Sequence, residues 1–403
     1  MLDLLDGIRV VSFNHFLLGP VGIQVLGDLG ADVIAIEPTS GAFQRKWAGA
    51  DTWVDGQSAL FLTGARNKRS LAVDLKSTAG LEIARKLIAT ADVVAENFRP
   101  GVMDKLGLGY DRLRQDHPSL IYAAASGYGA DGPYVDRPGQ DLLIQALSGL
   151  ATITGSQADG PRPVGVSAAD HHGATLLALG ILAALARRAR TGQGCRVDVN
   201  LLSAAIDLQM ESFVCYLNGT KPDSVAAPPW VAGWYYQAPY GIYATSDGHL
   251  AISLVSLKTM GEALSQPALA VFDDADAFDR RQEIAELVAE AMATRGSGEW
   301  QEILTRYKIW HAPVNDYDAV VADPQVRHNA SFITVDGATG TPITLVNHPV
   351  RYDGEATSVR LPPQPLGAQT EEILLELGYS KADIERLQAE AAILGHQQSE
   401  TAE

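Results

Sequence analysis

The chain has 403 residues, 46% of them hydrophobic, and a formal charge of −17, a length that favours two domains over one compact core. The acidic charge is spread along the chain and no Lys/Arg tract interleaves with aromatics, which argues against nucleic acid and anionic membranes as partners. With only Cys195 and Cys215 and no spaced Cys/His set, neither a disulfide framework nor a structural zinc site is indicated, and a reducing cytoplasm fits best. In chain order, the N-terminal stretch MLDLLDGIRVVSF lacks a signal-peptide pattern, and no uninterrupted apolar run of membrane-spanning length is expected. The run IRVVSF (8–13) reads as a strand, VGIQVLGDLG as a helix and DVIAIE (32–37) as a second strand. The rhythm recurs in SLAVDL (70–75), the helical TAGLEIARKLIATA, DVVAENF (92–98) and LIYAAASGYG (120–129). Alternation of this kind predicts a parallel sheet with helices on both faces, an α/β arrangement.

After RVDVNLLSAAIDLQMESFVCYLNGT the pattern loosens into KPDSVAAPPWVAGWYYQAPYG, which places a domain boundary near residue 220. The expected organisation is a large domain over 1–220, a smaller α+β domain with its linker over 221–325, and a return segment to the large domain over 326–403. Within the small domain, GIYATSDGHLAISLV (241–255) predicts a hairpin turning at Asp247-Gly248. Toward the end, TEEILLELG and SKADIERLQAEAA read as helices, the second capped by Ser380, and the tail HQQSETAE is expected to fray.

Three features invite chemistry. The first strand-helix-strand unit ends on Glu37, where an acidic residue would hold a ribose, but Gly19, Gly22, Gly27 and Gly30 never form GxGxxG, so a dinucleotide's pyrophosphate would lack its close backbone approach. Adjacent His171 and His172 point about 100° apart on a helix and do not converge on a metal; one buried and one partly exposed ring is the expected arrangement. Asp170 stands where the small-residue segment VGVSAAD meets a long apolar helical pattern. Capping the helix is one reading of it. The other is a nucleophile kept ionised by the helix N-terminus, and position alone does not separate them.

Several stretches read together are more specific: GPVGIQVLGDLGADVIAIEP, ARNKRSLAVDLKSTAG, ADVVAENFRPGVMDKLGLGYDRL, AAASGYGADGPYVDRPGQDLLIQALSGL, PVGVSAADHHGATLLALGILAALARRARTGQGCRVDVNLLSA and PLGAQTEEILLELGYSKADIERL. In this order they resemble the class III CoA-transferase family, the group of formyl-CoA and carnitine CoA-transferases, over nearly the whole chain. The resemblance implies a Rossmann-like large domain, an interlocked homodimer with active sites between large and small domains, and no tightly bound cofactor beyond coenzyme A or acyl-CoA as substrate. It implies an acyl-CoA donor, a carboxylic acid acceptor, and Asp170 as the nucleophile that carries aspartyl anhydride and aspartyl-CoA thioester intermediates.

For coenzyme A, the matching positions are His15, Phe16 and Leu17 after the first strand, then Asn97, Phe98 and Arg99, with Lys105 downstream and Lys68 and Arg69 as further cations suited to the phosphates. Gln140 and Asp141 are expected in the active-site wall. Formyl-CoA:oxalate enzymes carry consecutive glycines where this chain reads PPWVAGWYYQAPYG, so oxalate and formate are disfavoured and Trp234, Tyr235 and Tyr236 become candidates for the substrate pocket. A small dicarboxylate such as succinate, malate, mesaconate or citramalate is the expected acceptor. The runner-up is an α-methylacyl-CoA racemase, whose members pair such an aspartate with a histidine where this chain has Gln140, a side chain that exchanges no proton at neutral pH.

Overall fold

The computed structural model describes residues 4–219 and 221–395; the tail HQQSETAE expected to fray lies outside them. The chain forms two compact units. The first comprises Met1–Ile144, Ser167–Ala205 and Arg327–Glu403, and the second Gln145–Val166 and Ile206–Val326. The division thus differs from the expected break near residue 220. The segment Gln145–Val166 and the helices from Ile206 onward group with the second unit, tied to it by Gln157, whose backbone N–H donates to the Ala227 carbonyl and side-chain amide to the Ala226 carbonyl, and by the Ser212 hydroxyl, which accepts the Trp234 indole N–H.

The first unit is built on a sheet whose main strands are β1 (Arg9–Phe13), β2 (Asp32–Glu37), β3 (Lys68–Val73), β4 (Val93–Glu96), β5 (Ile121–Ser126) and β6 (Arg196–Asn200). They lie parallel in the order β3-β2-β1-β4-β5-β6, and the two-residue strand Ile393–Leu394 pairs antiparallel with β3 at the edge. This is the doubly wound order, which reverses direction between β1 and β4. Side chains alternate between faces along each strand. Val11, Ile34, Leu71 and Val94 pack with helix α2 (Thr78–Ile88) and the helices Thr370–Glu376 and Lys381–Ala389. Val10, Val33, Val93 and Ile121 pack on the opposite face with helices α1 (Leu18–Asp28) and α3 (Ala168–Thr191). Both faces are covered, so the strands read as apolar runs.

Glycine in α1 serves packing. A Cβ at Gly22 would stand 2.8 Å from the Ala174 carbonyl oxygen of α3, so the two helices cross at a distance that only glycine permits. The 24-residue α3 meets the length and mean hydropathy (1.3) of a membrane span, although Asp170, His171 and His172 at its start and Arg187 and Arg188 near its end interrupt the apolar run. Its Ala169, Ala174, Leu177, Ala178, Ile181, Ala184 and Leu185 are instead buried within the unit's own core. Near the far end, Ser380 caps its helix as expected, in a reciprocal box with Asp383.

The second unit has its own core around Trp300, Tyr243, Leu250, Met260, Ile284 and Val288. The predicted hairpin forms between strands Gly241–Ala244 and His249–Ile252, and His311–Pro313 adds a third antiparallel strand. Its turn is closed by the Thr245 N–H donating to the Gly248 carbonyl at 2.8 Å. The buried polar tips are satisfied: the Trp300 indole N–H donates to the Met292 carbonyl at 2.7 Å and the Tyr243 hydroxyl to the Pro239 carbonyl at 2.9 Å.

Candidate active site

In a doubly wound sheet a ligand crevice forms beyond the carboxyl ends of the strands, where the strand order reverses. The chain leaving β1 and the chain leaving β4 are tied together at that point. Asn97 accepts the His15 backbone N–H at 2.9 Å and returns a bond from its side-chain amide to the His15 carbonyl at 2.7 Å. Beside this clasp lies a cleft of about 780 Å³, walled by His15, Phe16 and Leu17 after β1, Asn97 and Arg99 after β4, Ser126–Gly129 and Arg137–Asp141 after β5, and Asp170 at the start of α3. A cleft of this size takes a drug-sized or larger ligand.

The loop after β5 reaches the cleft by folding back on itself. Gly127 and Gly139 touch backbone to backbone: a Cβ on Gly127 would lie 2.6 Å from the Gly139 Cα, and the reverse distance is 2.4 Å. Any side chain at either position pushes the loop apart. This contact delivers Gln140 and Asp141 to the wall, and the Asp141 Oδ1 accepts the Asp170 backbone N–H at 3.1 Å.

Asp170 is therefore not the cap of α3. Ser167 occupies that position and Asp170 is the third helical residue, with Asp141 supplying the capping oxygen from outside the helix. Nor does the helix N-terminus keep its carboxyl in the ordinary acidic range, as the sequence suggested. Burial, and next the charge of Asp141, push it up to about 7, against a single backbone N–H from Leu18 that favours the anion. A carboxylate in this state is desolvated and poorly stabilised, which raises its reactivity toward an electrophile once the proton is gone.

The aromatic side of the cleft is a file of rings. Phe98 stacks on His15 at 5.5 Å, His15 meets Phe16 at 5.0 Å, Phe16 meets Phe43 at 5.1 Å, and Phe43 meets Trp47 at 5.8 Å. Phe16, Phe43 and Trp47 are exposed and line the cleft, whereas Phe98 packs against the core of the sheet and serves as backing for His15. Burial lowers the basicity of the His15 ring. Of the cations, Arg99 is in the wall, and so is Arg137, whose guanidinium is braced 3.9 Å over the Tyr134 ring.

Three of the expected coenzyme A cations are placed elsewhere. The Lys68 ammonium is buried and donates to the Pro20 and Gly64 carbonyls, each at 2.6 Å, and burial brings it down to about 7. Arg69 is committed to Asp32, Glu372 and Glu376. Both residues open β3, where carbonyls of α1 and the preceding loop satisfy Lys68 and acidic side chains of β2 and the helix Thr370–Glu376 satisfy Arg69. Lys105 ends the short helix Val102–Lys105, exposed and outside the cleft wall. Trp234, Tyr235 and Tyr236 belong to the second unit, where the Trp234 indole donates to the Ser212 hydroxyl at 2.8 Å and both tyrosine hydroxyls donate to the same Glu211 oxygen at 3.1 Å. The histidines after Asp170 also differ from expectation, since His171 is exposed and His172 half-buried.

Arg137, Phe43, Trp47 and Ser126–Gly129 were not singled out from the sequence. Arg137 had a signal, because it stands three residues before Gln140 in a stretch already marked. Phe43 and Trp47 had none, since nothing in GAFQRKWAG separates a cleft wall from a packed turn.

The model of the CoA-transferase family III matches residues 5–370. The chain is 32% identical over 404 residues to the succinyl-CoA:glutarate CoA-transferase of Mus musculus, covering 98% of this chain and 91% of that one. It is likewise 32% identical over 402 residues to the succinyl-CoA–D-citramalate CoA-transferase of Chloroflexus aurantiacus, covering 96% and 98%. Among solved structures it is similar to a CAIB/BAIF family protein from Brucella suis, with a TM-score of 0.80, 30% identity, and coverage of 93% of this chain and 99% of that one. With the model matched over most of its length and relatives of this identity spanning it almost end to end, the chain belongs to the family III CoA-transferases and is a CoA-transferase.

Proposed function

We propose that the Asp170 carboxylate is the nucleophile through which this enzyme moves coenzyme A from an acyl-CoA to a small dicarboxylate. The observation that carries the reading is the half-buried Asp170 in the wall of a cleft at the sheet's switch point, with its carboxyl raised to about 7. In the first step an Asp170 oxygen attacks the thioester carbonyl, forming a mixed anhydride and expelling the CoA thiolate. The thiolate then attacks the Asp170 carbonyl carbon, giving an aspartyl-CoA thioester and releasing the donor carboxylate. The acceptor carboxylate attacks that thioester in turn, forming a second anhydride and freeing the thiolate. Finally the thiolate attacks the acceptor's acyl carbon, which yields the new acyl-CoA and regenerates Asp170. Each step exchanges one activated acyl bond for another, so the thioester's energy is kept, and an apolar wall such as Phe16, Phe43 and Trp47 keeps water from the anhydrides.

The Leu18 N–H, which favours the Asp170 anion, is the nearest backbone donor to share charge that develops there. His15, Phe16, Leu17, Asn97 and Arg99 form the coenzyme A side of the cleft. A dicarboxylate acceptor is supported by relatives named for glutarate and citramalate and by two arginines in one wall, which can serve a phosphate and a second carboxylate separately. A homodimer is supported by exposed apolar side chains within each unit, Leu142, Leu143 and Leu179 in the first and Met210, Val214 and Leu217 in the second; sedimentation at micromolar concentration should give twice 42.9 kDa.

The deciding experiment is mass spectrometry of the protein incubated with a panel of acyl-CoAs, succinyl-CoA and glutaryl-CoA among them, and trapped with hydroxylamine. A hydroxamate on Asp170 that depends on the acyl-CoA, and is absent from Asp170→Ala, is the expected result. An unmodified Asp170 together with α-proton exchange in deuterated water would replace this mechanism with the racemase one.

A further inference from the structure

The turn that brings Leu18 to Asp170 runs through an unfavourable backbone conformation. Phe16 has a φ of +60°, the left-handed region that is costly for an L-residue. Its side chain is a ring in the cleft wall, which offers no hydrogen bond to offset that cost. The conformation is held from outside. The Phe16 backbone N–H donates to the Oε1 of Gln44 at 3.1 Å, a side chain that is only 8% exposed.

Gln44 is itself firmly placed. It lies in the 3-10 turn Phe43–Arg45, its carbonyl accepts the Ser58 hydroxyl, and the next residue, Arg45, makes two bonds to Glu37 at 2.6 and 2.7 Å. The line of support therefore runs from the end of β2, through Arg45 and Gln44, to Phe16. Two residues on, Leu18 opens α1 against the start of α3, where a Cβ at Gly173 would stand 2.6 Å from the Leu18 Cδ1, and its N–H faces the Asp170 carboxylate and favours the anion.

We infer that Gln44 is a positioning residue for the reaction: by holding Phe16 in its left-handed turn it keeps the Leu18 N–H on Asp170. This rests on the reading of Asp170 as nucleophile for its effect on turnover, but not for its effect on the carboxyl group itself.

The test uses the full-length enzyme with succinyl-CoA and glutarate as probe substrates, and titrates Asp170 by carbon NMR of protein labelled at the aspartate carboxyls, the signal being assigned with Asp170→Asn. Gln44→Leu keeps the volume and removes the acceptor. It should lower kcat by about 10- to 100-fold, change the KM for succinyl-CoA by less than about threefold, and raise the Asp170 titration midpoint, because the N–H that favours the anion is lost. Two substitutions at position 16 give the same question without touching Gln44. Phe16→Gly and Phe16→Val both remove the ring, but glycine adopts the left-handed turn freely and valine resists it. Valine should therefore be the slower by about tenfold or more, with the higher Asp170 midpoint, and Phe16→Gly introduced into Gln44→Leu should restore most of the lost rate. An unchanged Asp170 midpoint in Gln44→Leu, or equal behaviour of the glycine and valine variants, overturns the inference. Should Gln44→Leu fail to fold, the glycine and valine pair decides it alone. Midpoints that shift as expected while Asp170→Asn retains full turnover would sink the nucleophile and leave the positioning intact.

Discussion

Two aspartates of the first unit, one half-buried and one buried, stand at opposite ends of helices and titrate in the sense opposite to what those ends favour. Asp170 lies in the first turn of α3, where the helix dipole supports an anion, yet burial and Asp141 raise its carboxyl to about 7. Asp28 is the last residue of α1, the end that disfavours an anion, and it is more deeply enclosed at 5% exposure. Burial pushes its carboxyl up too, but hydrogen bonds from His348, Arg66 and Asn67 and the charge of Arg66 outweigh it, leaving it below the ordinary range. Arg66 grips both oxygens, at 2.9 and 2.7 Å, and the Asn67 amide adds a bond at 2.8 Å. A helix end contributes about 0.3–1 kcal/mol, whereas a buried carboxylate gains or loses several kcal/mol according to its partners. The difference between the two carboxylates lies in which groups face them. Asp28 is given a guanidinium; Asp170 is given another acid.

That contrast is strained hardest by Asp170→Asn. Transfer should fall by at least about 10³-fold, while the fold gains relative to the wild type. The sign follows from the raised carboxyl: ionising it in the folded state is unfavourable, so the advantage of the amide grows as pH rises from about 4 to about 7 and is constant above. Thermal melts at pH 5 and pH 8 check this, and a difference independent of pH would mean that Asp170 is not held in the state described.

Arg66→Met should cost about 3–5 kcal/mol in urea unfolding, because it strands Asp28 as a buried charge. Adding Asp28→Asn should recover part of that loss. If the single and double variants unfold alike, Arg66 contributes packing and not charge. Asp28→Asn alone works in the reverse pH direction from Asp170→Asn. The stabilisation by ionised Asp28 is full above the ordinary carboxylate range and disappears as pH falls through its lowered folded value, so the variant's deficit should shrink below about pH 4.

The smallest effect is expected from Asp141→Asn, which keeps an oxygen for the Asp170 N–H but removes the charge. With Asp170 as the proposed nucleophile, kcat/KM should rise with pH through about 7 in the wild type, and the variant's acid limb should move down by about 0.5–1 unit. A limb that stays in place would assign the raised carboxyl to burial alone.

How far the sequence could be read depends on what each residue's neighbours decide. The strands β1, β2 and β4 were legible because both faces of a parallel sheet are buried and the runs are apolar throughout. Strand β6, RVDVN, was not read as a strand, since Arg196 and Asp198 on an exposed edge break the apolar pattern. Ile393–Leu394 is too short to show any period. In the site, Asp170 was reached through the resemblance of several ordered motifs and not through its position, which favoured a capping role; Ser167 holds that position and Asp141 supplies the capping oxygen. Lys68 and Arg69 show the limit most clearly. Two cations after a loop look like phosphate ligands, and only the fold reveals that the Pro20 and Gly64 carbonyls, Asp32, Glu372 and Glu376 have already taken them.

The pairing of Ile393–Leu394 with β3 bears on how the molecule is made. Strand β3 is buried, rich in apolar residues and at the margin of the sheet until that short partner arrives, and the ribosome supplies the partner only after the whole second unit has been synthesised. For most of translation the nascent first unit presents an open, sticky strand edge of the kind that recruits other chains. Loss of Ile393–Leu394 would thus be felt first as poor yield and aggregation during expression, in an enzyme whose cleft wall contains neither residue.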